Sequence, residues 1–367
     1  MRLDDLPTPC LVLDRAIMQR NLATMAAALA RHAVPLRPHM KTAKSIEVAR
    51  LALAGQPGGI TVSTLAEAEY FAGHGINDIL YAVGITPGKL DQVAKLNANG
   101  TAVAVITDDP DTAAAIAAHP TPPRALIEID TGEERGGVGP DDPALLAIAE
   151  RLGGQLAGVM THAGHSYAGR GVEDMVRIAE AERAGIVRAA ERLRAAGHAA
   201  PIVSMGSSPT ARHAASLAGV SEVRAGVYMF GDLFQAEIHT HAVADIAVTV
   251  LASVIGRRPA RNRLLIDAGG LALSKDRSTE AAPLDYGFGL MLDARGRPAY
   301  GHAIVRQAYQ EHGVVEMGAT APADLPVGAK VRIAPNHTCM TAAAHDRYHI
   351  VEGGDEVVAI WTRVNGW

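Results

Sequence analysis

The segment Arg37-Pro38-His39-Met40-Lys41-Thr42-Ala43-Lys44 sets three cationic or protonatable side chains at alternate positions. If Pro35 to Lys41 is extended, Arg37, His39 and Lys41 project to one face. Packing does not account for such a face, which calls for an anionic partner such as a phosphate or a carboxylate. A lysine held near other positive charge loses proton affinity and becomes a better amine nucleophile, so Lys41 reads as a Schiff-base lysine. A second constellation stands at Pro335-Asn336-His337-Thr338-Cys339. On an extended segment His337 and Cys339 face the same side, as two ligands of one divalent metal such as Zn2+ would. Two protein ligands leave positions for water and substrate, which suits a catalytic metal. The competing reading is an ordinary histidine beside an inert core thiol.

Other residues extend the first site. Glu128 and Asp130 alternate along Leu126-Ile127-Glu128-Ile129-Asp130 and share a predicted inward face. Two buried carboxylates need compensation, and Arg37, His39 and Lys41 are the expected partners. A structural ion cluster and a catalytic pair both satisfy that pattern. Arg135 follows in the Gly-rich run Thr131-Gly132-Glu133-Glu134-Arg135-Gly136-Gly137, either at a ligand or as a solvated surface arginine. Met205-Gly206-Ser207-Ser208-Pro209-Thr210 joins backbone amides and hydroxyls to a helix start, the make-up of a phosphate cradle. Gly226 would let a neighbouring backbone approach closely, and Cys10 reads as a buried hydrophobe.

A scaffold must gather these residues. From about residue 35 to 228 the chain repeats a short apolar strand, a turn and an alanine-rich helix. Strands are predicted at Pro35–Lys41, Gly59–Leu65, Asp78–Val83, Ala102–Thr107, Ala125–Asp130, Leu156–Gly164, Ile202–Ser208 and Glu222–Tyr228. Helical patterns between them include Leu65–Gly73, Pro87–Asn99, Pro143–Leu152, Val172–Ala196 and Pro209–Leu217. Eight such units predict an α/β fold, a (β/α)8 barrel, with a doubly wound open sheet as the alternative. Barrel active sites collect at the C-terminal ends of the strands, where Lys41, Asp130, His165, Gly206 and Tyr228 fall. After about residue 244 the helical period fades, and strands are predicted at Ile246–Ile255, Arg263–Asp267, Ala303–Gln307, Lys330–Ala334, Tyr348–Val351 and Glu356–Thr362. The expected domains are a barrel over 15–243 and a smaller β-rich domain from 1–14 plus 244–367, to which Cys10–Leu13 could add a strand.

Composition narrows the partners. The 367 residues carry a net charge of −5 and are 48% hydrophobic, without the basic excess of a nucleic-acid or membrane-surface binder. No run is long and apolar enough for a transmembrane helix, and the first residues lack a signal-peptide core, so the expected compartment is the cytoplasm. Two cysteines, Cys10 and Cys339, make a structural disulfide there an unlikely feature.

Taken together these residues resemble the fold-type III pyridoxal-phosphate enzymes, the alanine-racemase-like barrel plus β-domain group. Within that group the resemblance is to the branch holding D-threonine aldolase, D-serine dehydratase and D-threo-3-hydroxyaspartate dehydratase. It runs over nearly the whole chain, through Leu6-Pro7-Thr8-Pro9, Arg37-Pro38-His39-Met40-Lys41-Thr42, Glu128-Ile129-Asp130-Thr131-Gly132, Gly164-His165-Ser166-Tyr167, Ile266-Asp267-Ala268-Gly269, Glu311-His312-Gly313 and Pro335-Asn336-His337-Thr338-Cys339. The resemblance implies Lys41 as the cofactor lysine and Arg135 near the cofactor's phenolic oxygen. It implies Tyr167 and Tyr228 around the ring and phosphate, and Gly206, Ser207 and Ser208 at the phosphate. His337 and Cys339 would bind the divalent metal, Zn2+ first, with Mn2+ or Co2+ as other choices. The branch often carries a longer glycine run where Met205-Gly206-Ser207-Ser208 stands. His-x-Cys favours a dehydratase of D-3-hydroxy amino acids, while an aldolase would use the same parts with His312 or His165 as base. Arg170, Lys275 or Arg277 could meet an extra substrate carboxylate. The family also implies a homodimer. A non-catalytic pyridoxal-phosphate carrier and a metal-dependent barrel hydrolase are the readings outside the branch.

Overall fold

The computed structural model describes residues 1–318 and 325–367. Its contacts separate two units, Thr24–Gly226 with Val364–Trp367, and Met1–Ala23 with Val227–Arg363. The first is a barrel of eight parallel strands, Leu36–Pro38, Ile60–Val62, Asp78–Gly84, Ala102–Thr107, Ala125–Ile129, Leu156–Thr161, Ile202–Met205 and Glu222–Ala225. From the second onward each pairs with its neighbour in sequence, and the first pairs with the last, Leu36 beside Val223 and Pro38 beside Ala225. An isolated bridge between His39 and Thr61 links the first strand to the second, so the barrel is nearly closed and the open-sheet alternative falls. Apolar runs such as Ala125-Leu126-Ile127 are fully buried, as parallel strands covered on both faces require.

All eight strands fall on predicted segments; the third runs one residue further, to Gly84, the fourth matches, and the first, second, fifth, sixth, seventh and eighth stop sooner. The first ends at Pro38 because residues 40–43 form a turn, closed where the Lys44 amide donates to the Met40 carbonyl at 2.8 Å. Helix starts follow local chemistry. Thr64 caps Leu65–Gly73 by accepting from the Glu67 amide, and Asp109 caps Pro110–Ala118 through the Thr112 amide. The helix after the seventh strand covers only Ser208–His213, shorter than predicted, and starts with a reciprocal cap between Ser207 and Thr210.

The second unit is built on a nine-stranded, mostly antiparallel sheet. The N-terminal strand Cys10–Asp14 lies inside it, antiparallel to Val248–Arg258 and parallel to Arg347–Val351. Two of its strands, Leu290–Leu292 and Gly313–Glu316, were not among those predicted. Cys10 is buried with Leu3, Leu6, Val12, Leu251 and Val351, and burial pushes its thiol up to about 11. No helix among the described residues is long and apolar enough to cross a membrane.

Candidate active site

Lys41 is exposed in the turn just beyond the first barrel strand, its amide 3.4 Å from His39 Nδ1. Two imidazoles feel its charge. Burial first, then Lys41, holds His39 well below the usual histidine range and His162 down to about 3. His162, just past the sixth strand, donates from Nδ1 to the Gly206 carbonyl at 3.1 Å. Arg224 on the eighth strand is buried and donates to the Ser204 carbonyl at 2.9 Å and its hydroxyl at 2.8 Å.

The expected pairing of Glu128 and Asp130 with the cations of the first strand is corrected here. Arg37 reaches back to Glu222 and Asp78, each the first residue of its own strand, and so serves the opposite end of the barrel from Lys41. Glu128 lies 3.8 Å from Arg135; burial raises its carboxyl, and Arg135 opposes that rise. Asp130 instead caps a turn, one oxygen accepting from the amides of Gly132, Glu133 and Glu134 at 2.8, 3.0 and 3.2 Å. Arg135 also sits 3.2 Å from Glu133.

At the expected phosphate loop, the Gly206 amide donates to buried Glu182 at 2.9 Å and the Ser207 amide to Thr210 Oγ1 at 3.0 Å. Two of the three amides are therefore committed inside the protein. The Ser207 hydroxyl lies 3.0 Å from that of Ser166, and Ser208 opens the following helix. Tyr167 and His165 share the short 3-10 turn Gly164–Ala168, with the His165 ring against Gly132. Tyr228 belongs to the second unit, where it is buried, and burial raises its phenol.

In the second unit, His337 and Cys339 stand at the N-cap and second position of the helix Thr338–Ala342. The expectation of an extended segment is corrected, and its cause is Asp232. That carboxylate accepts the Thr338 amide at 3.0 Å while the Thr338 hydroxyl donates to the Gly231 carbonyl at 2.6 Å, turning the chain. His337 Nδ1 lies 3.2 Å from Asp276 Oδ2. Burial pushes the His337 imidazole down, but Asp276, Cys339 and Asp232 together carry it up. Among the described residues no three histidine, cysteine or acidic side chains converge as a metal-ligand group, so a metal here would have two protein ligands. His312 is exposed in the turn joining Ile304–Ala308 to Gly313–Glu316. Arg277 pairs with Asp285 at 3.0 Å, Lys275 donates to the Ala308 carbonyl, and Arg170 donates to the carbonyls of Tyr167 and Gly169 at 3.2 and 3.0 Å.

Residues 13–233 match the alanine racemase N-terminal domain, and residues 247–351 a serine dehydratase domain. The chain belongs to the fold-type III pyridoxal-phosphate enzymes. It is 45% identical to D-threo-3-hydroxyaspartate dehydratase of Delftia sp. (strain HT23), over 99% of this chain and 98% of that one. With D-threonine aldolase of Arthrobacter sp. it shares 31% identity over 96% and 91% of the two chains. A D-threo-3-hydroxyaspartate dehydratase with a cysteine-to-alanine mutation, solved in the metal-free form, superposes with a TM-score of 0.96 at 44% identity, covering all of both chains.

The residues fit the family's cofactor. A methyl group on Gly226 would lie 2.9 Å from the His39 carbonyl oxygen, and one on Gly206 2.4 Å from that of Arg224. Gly206 also has φ +130°, a conformation glycine adopts freely. The exits of the first, seventh and eighth strands thus crowd together beside the hydroxyls of Ser166 and Ser207, a polar floor suited to a phosphate, with Lys41 in the turn beyond the first exit. His337 and Cys339 fit a metal by donor type, one imidazole and one sulfur.

Three of these site-shaping side chains did not emerge from spacing. Glu182 lies on the buried stripe Met175, Ile178, Ala179, Glu182, Ile186, Ala189 of its helix, and a carboxylate at a core position was the available signal. His162 was eclipsed by its neighbour His165. Asp276 sits in a polar turn that carried no signal.

Proposed function

We propose that the chain is a pyridoxal-phosphate- and divalent-metal-dependent lyase of D-3-hydroxy amino acids, of the D-serine or D-threo-3-hydroxyaspartate dehydratase type. The observation that carries this reading is the imidazole–thiol pair at 337 and 339 beside Asp276, in a chain whose barrel presents Lys41 at a strand exit. Bound pyridoxal phosphate supplies an electron sink at Cα, and a bound divalent metal a Lewis acid at the β-oxygen.

The chain's own residues do the rest. The Lys41 amine holds the cofactor between turnovers and takes the Cα proton during them. His39 and His162, kept uncharged, add no positive charge beside that amine, and His162 donates its Nδ1 proton to the Gly206 carbonyl. Arg135 would serve the cofactor's phenolic oxygen, Tyr167 and Tyr228 would lie by its ring and phosphate, and Gly206, Ser207 and Ser208 would hold the phosphate, with the Gly206 and Ser207 amides already committed to Glu182 and Thr210. His337 and Cys339 hold the metal; a sulfur ligand favours Zn2+ over Mn2+ or Co2+. The substrate loses its α-proton and β-hydroxyl as water, and hydrolysis of the resulting enamine yields a 2-oxo acid and ammonia. A cytoplasmic homodimer is the working assembly.

The 31% identity to a D-threonine aldolase supports a second reading. There His312 takes the β-hydroxyl proton, the Cα–Cβ bond breaks, and the products are glycine and an aldehyde. Product analysis with D-threonine, D-serine and D-threo-3-hydroxyaspartate, each with pyridoxal phosphate and Zn2+ or Mn2+, separates the two. Ammonia with a 2-oxo acid supports the dehydratase; glycine with an aldehyde or glyoxylate sinks it. No turnover together with a borohydride-reducible cofactor would point to a carrier.

A further inference from the structure

We propose that Asp276 is a positioning residue for the metal, fixing His337 in the tautomer that turns Nε2 toward the cation beside Cys339. The inference rests on the metal-pair reading above. An ionised carboxylate only accepts hydrogen bonds, so the 3.2 Å contact between Asp276 Oδ2 and His337 Nδ1 keeps an imidazole proton on Nδ1 and makes Nε2 the nitrogen that gives up its proton to bind a cation.

The carboxylate is itself held. Asp276 Oδ1 accepts from the Ser278 amide at 2.8 Å and from the Ser278 hydroxyl. Asn336, the residue before His337, grips the same loop: its Nδ2 donates to the Asp276 carbonyl at 3.2 Å and to the Gly287 carbonyl at 2.6 Å, and its Oδ1 accepts from the Thr279 hydroxyl at 3.1 Å. The loop and the ligand segment are therefore tied together at His337 and at the residue before it. The other nearby carboxylate, Asp232, is committed elsewhere, its two oxygens accepting the amides of Gln235 and Thr338. Of these two carboxylates it is Asp276 that hydrogen-bonds the histidine. Such outer carboxylates typically contribute about ten- to a hundredfold in metal affinity.

The test measures metal dissociation constants by chelator competition on the cofactor-loaded full chain, with Zn2+ and Mn2+, for wild type, Asp276→Asn, Asp276→Ala, His337→Ala and Cys339→Ala. Asp276→Ala is expected to weaken binding by about ten- to a hundredfold. Asp276→Asn, which keeps an acceptor of the same shape, is expected to fall between it and wild type. Cofactor absorbance and melting temperature of Asp276→Asn are expected to match wild type, so that variant decides the matter if Asp276→Ala does not fold. Wild-type affinity in both Asp276 variants, with metal lost from His337→Ala and Cys339→Ala, overturns this inference and leaves the metal pair standing. Metal retained by His337→Ala and Cys339→Ala overturns the metal pair and the inference with it. With Co2+ as probe, unchanged ligand-field bands in Asp276→Asn support positioning, whereas altered bands would make Asp276 a direct ligand and overturn it.

Discussion

Replacing Arg37 with methionine asks whether the cationic face of the first strand serves a ligand or the scaffold. The Arg37 guanidinium meets Glu222 at 2.9 Å with side chains 13% and 14% exposed, and meets Asp78, 56% exposed, at 2.9 Å. Without it Glu222 keeps one hydrogen bond, from the Ser204 hydroxyl at 2.6 Å. Removing one partner of a buried ion pair costs about 3–5 kcal/mol, while a solvated arm such as Asp78 adds about 0–1 kcal/mol. Methionine restores part of the apolar stem. The net expectation is a loss of about 3–4 kcal/mol, or a fall in Tm of roughly 6–16 °C for a unit of this size. Thermal melts give that figure, and borohydride-fixed cofactor per mole of folded chain gives the occupancy, which is expected to stay at the wild-type value. Adding Glu222→Gln should recover part of the stability, since no buried carboxylate then stands unpaired. Cofactor loss with an unchanged Tm would refute the reasoning and return Arg37 to the ligand site.

The remaining predictions concern the barrel mouth. Glu182, pushed up by burial to about 7 from an ordinary 4.5, binds more protons folded than unfolded between those values. Its stabilising contribution is therefore full below pH 4.5 and lost as pH rises through 7; Glu182→Gln should gain stability relative to wild type at pH 8 but not at pH 5, and equal effects at both would refute this. His162, held down to about 3 from 6.5, binds fewer protons folded than unfolded, so it contributes stability above 6.5 that is lost as pH falls toward 3. His162→Asn should flatten the acid limb of denaturant-measured stability by up to about 1.4 kcal/mol per pH unit, and an unchanged limb would count against it. Gly226→Ala, which sets a methyl group 2.9 Å from the His39 carbonyl oxygen, should cost about 1–3 kcal/mol and weaken cofactor binding, read by melts and by absorbance titration.

The barrel could be read from sequence because each strand is a short apolar run bounded by a turn, and buried parallel strands need little else. Alternation, however, reports which face a side chain takes and not its height along the strand. Arg37 lies within the first strand, whereas Lys41 lies past its end in the turn at residues 40–43. One reaches back to the strand starts at Glu222 and Asp78, while the other stands beyond the strand end. Leu290–Leu292 and Gly313–Glu316 escaped notice for a different reason: three or four residues beside glycines carry too little period to separate a strand from a turn.

The proposed metal pair shows where spacing stops and tertiary contact begins. His337 and Cys339 were singled out by donor chemistry, which survives any backbone shape. Their geometry was not available, because Asp232, more than a hundred residues earlier, converts the segment into a helix start. The same holds for Asp276 and Glu182, whose partners are the Nδ1 of one residue and the amide of another on a different element. The groups that must touch a ligand are constrained in type and stand out in a sequence. The groups that aim them need only reach one atom, so a polar turn or one acidic residue on an apolar stripe suffices. For this family the more informative search is therefore for carboxylates at core positions of otherwise apolar helices, since burial without a purpose would cost each of them several kcal/mol.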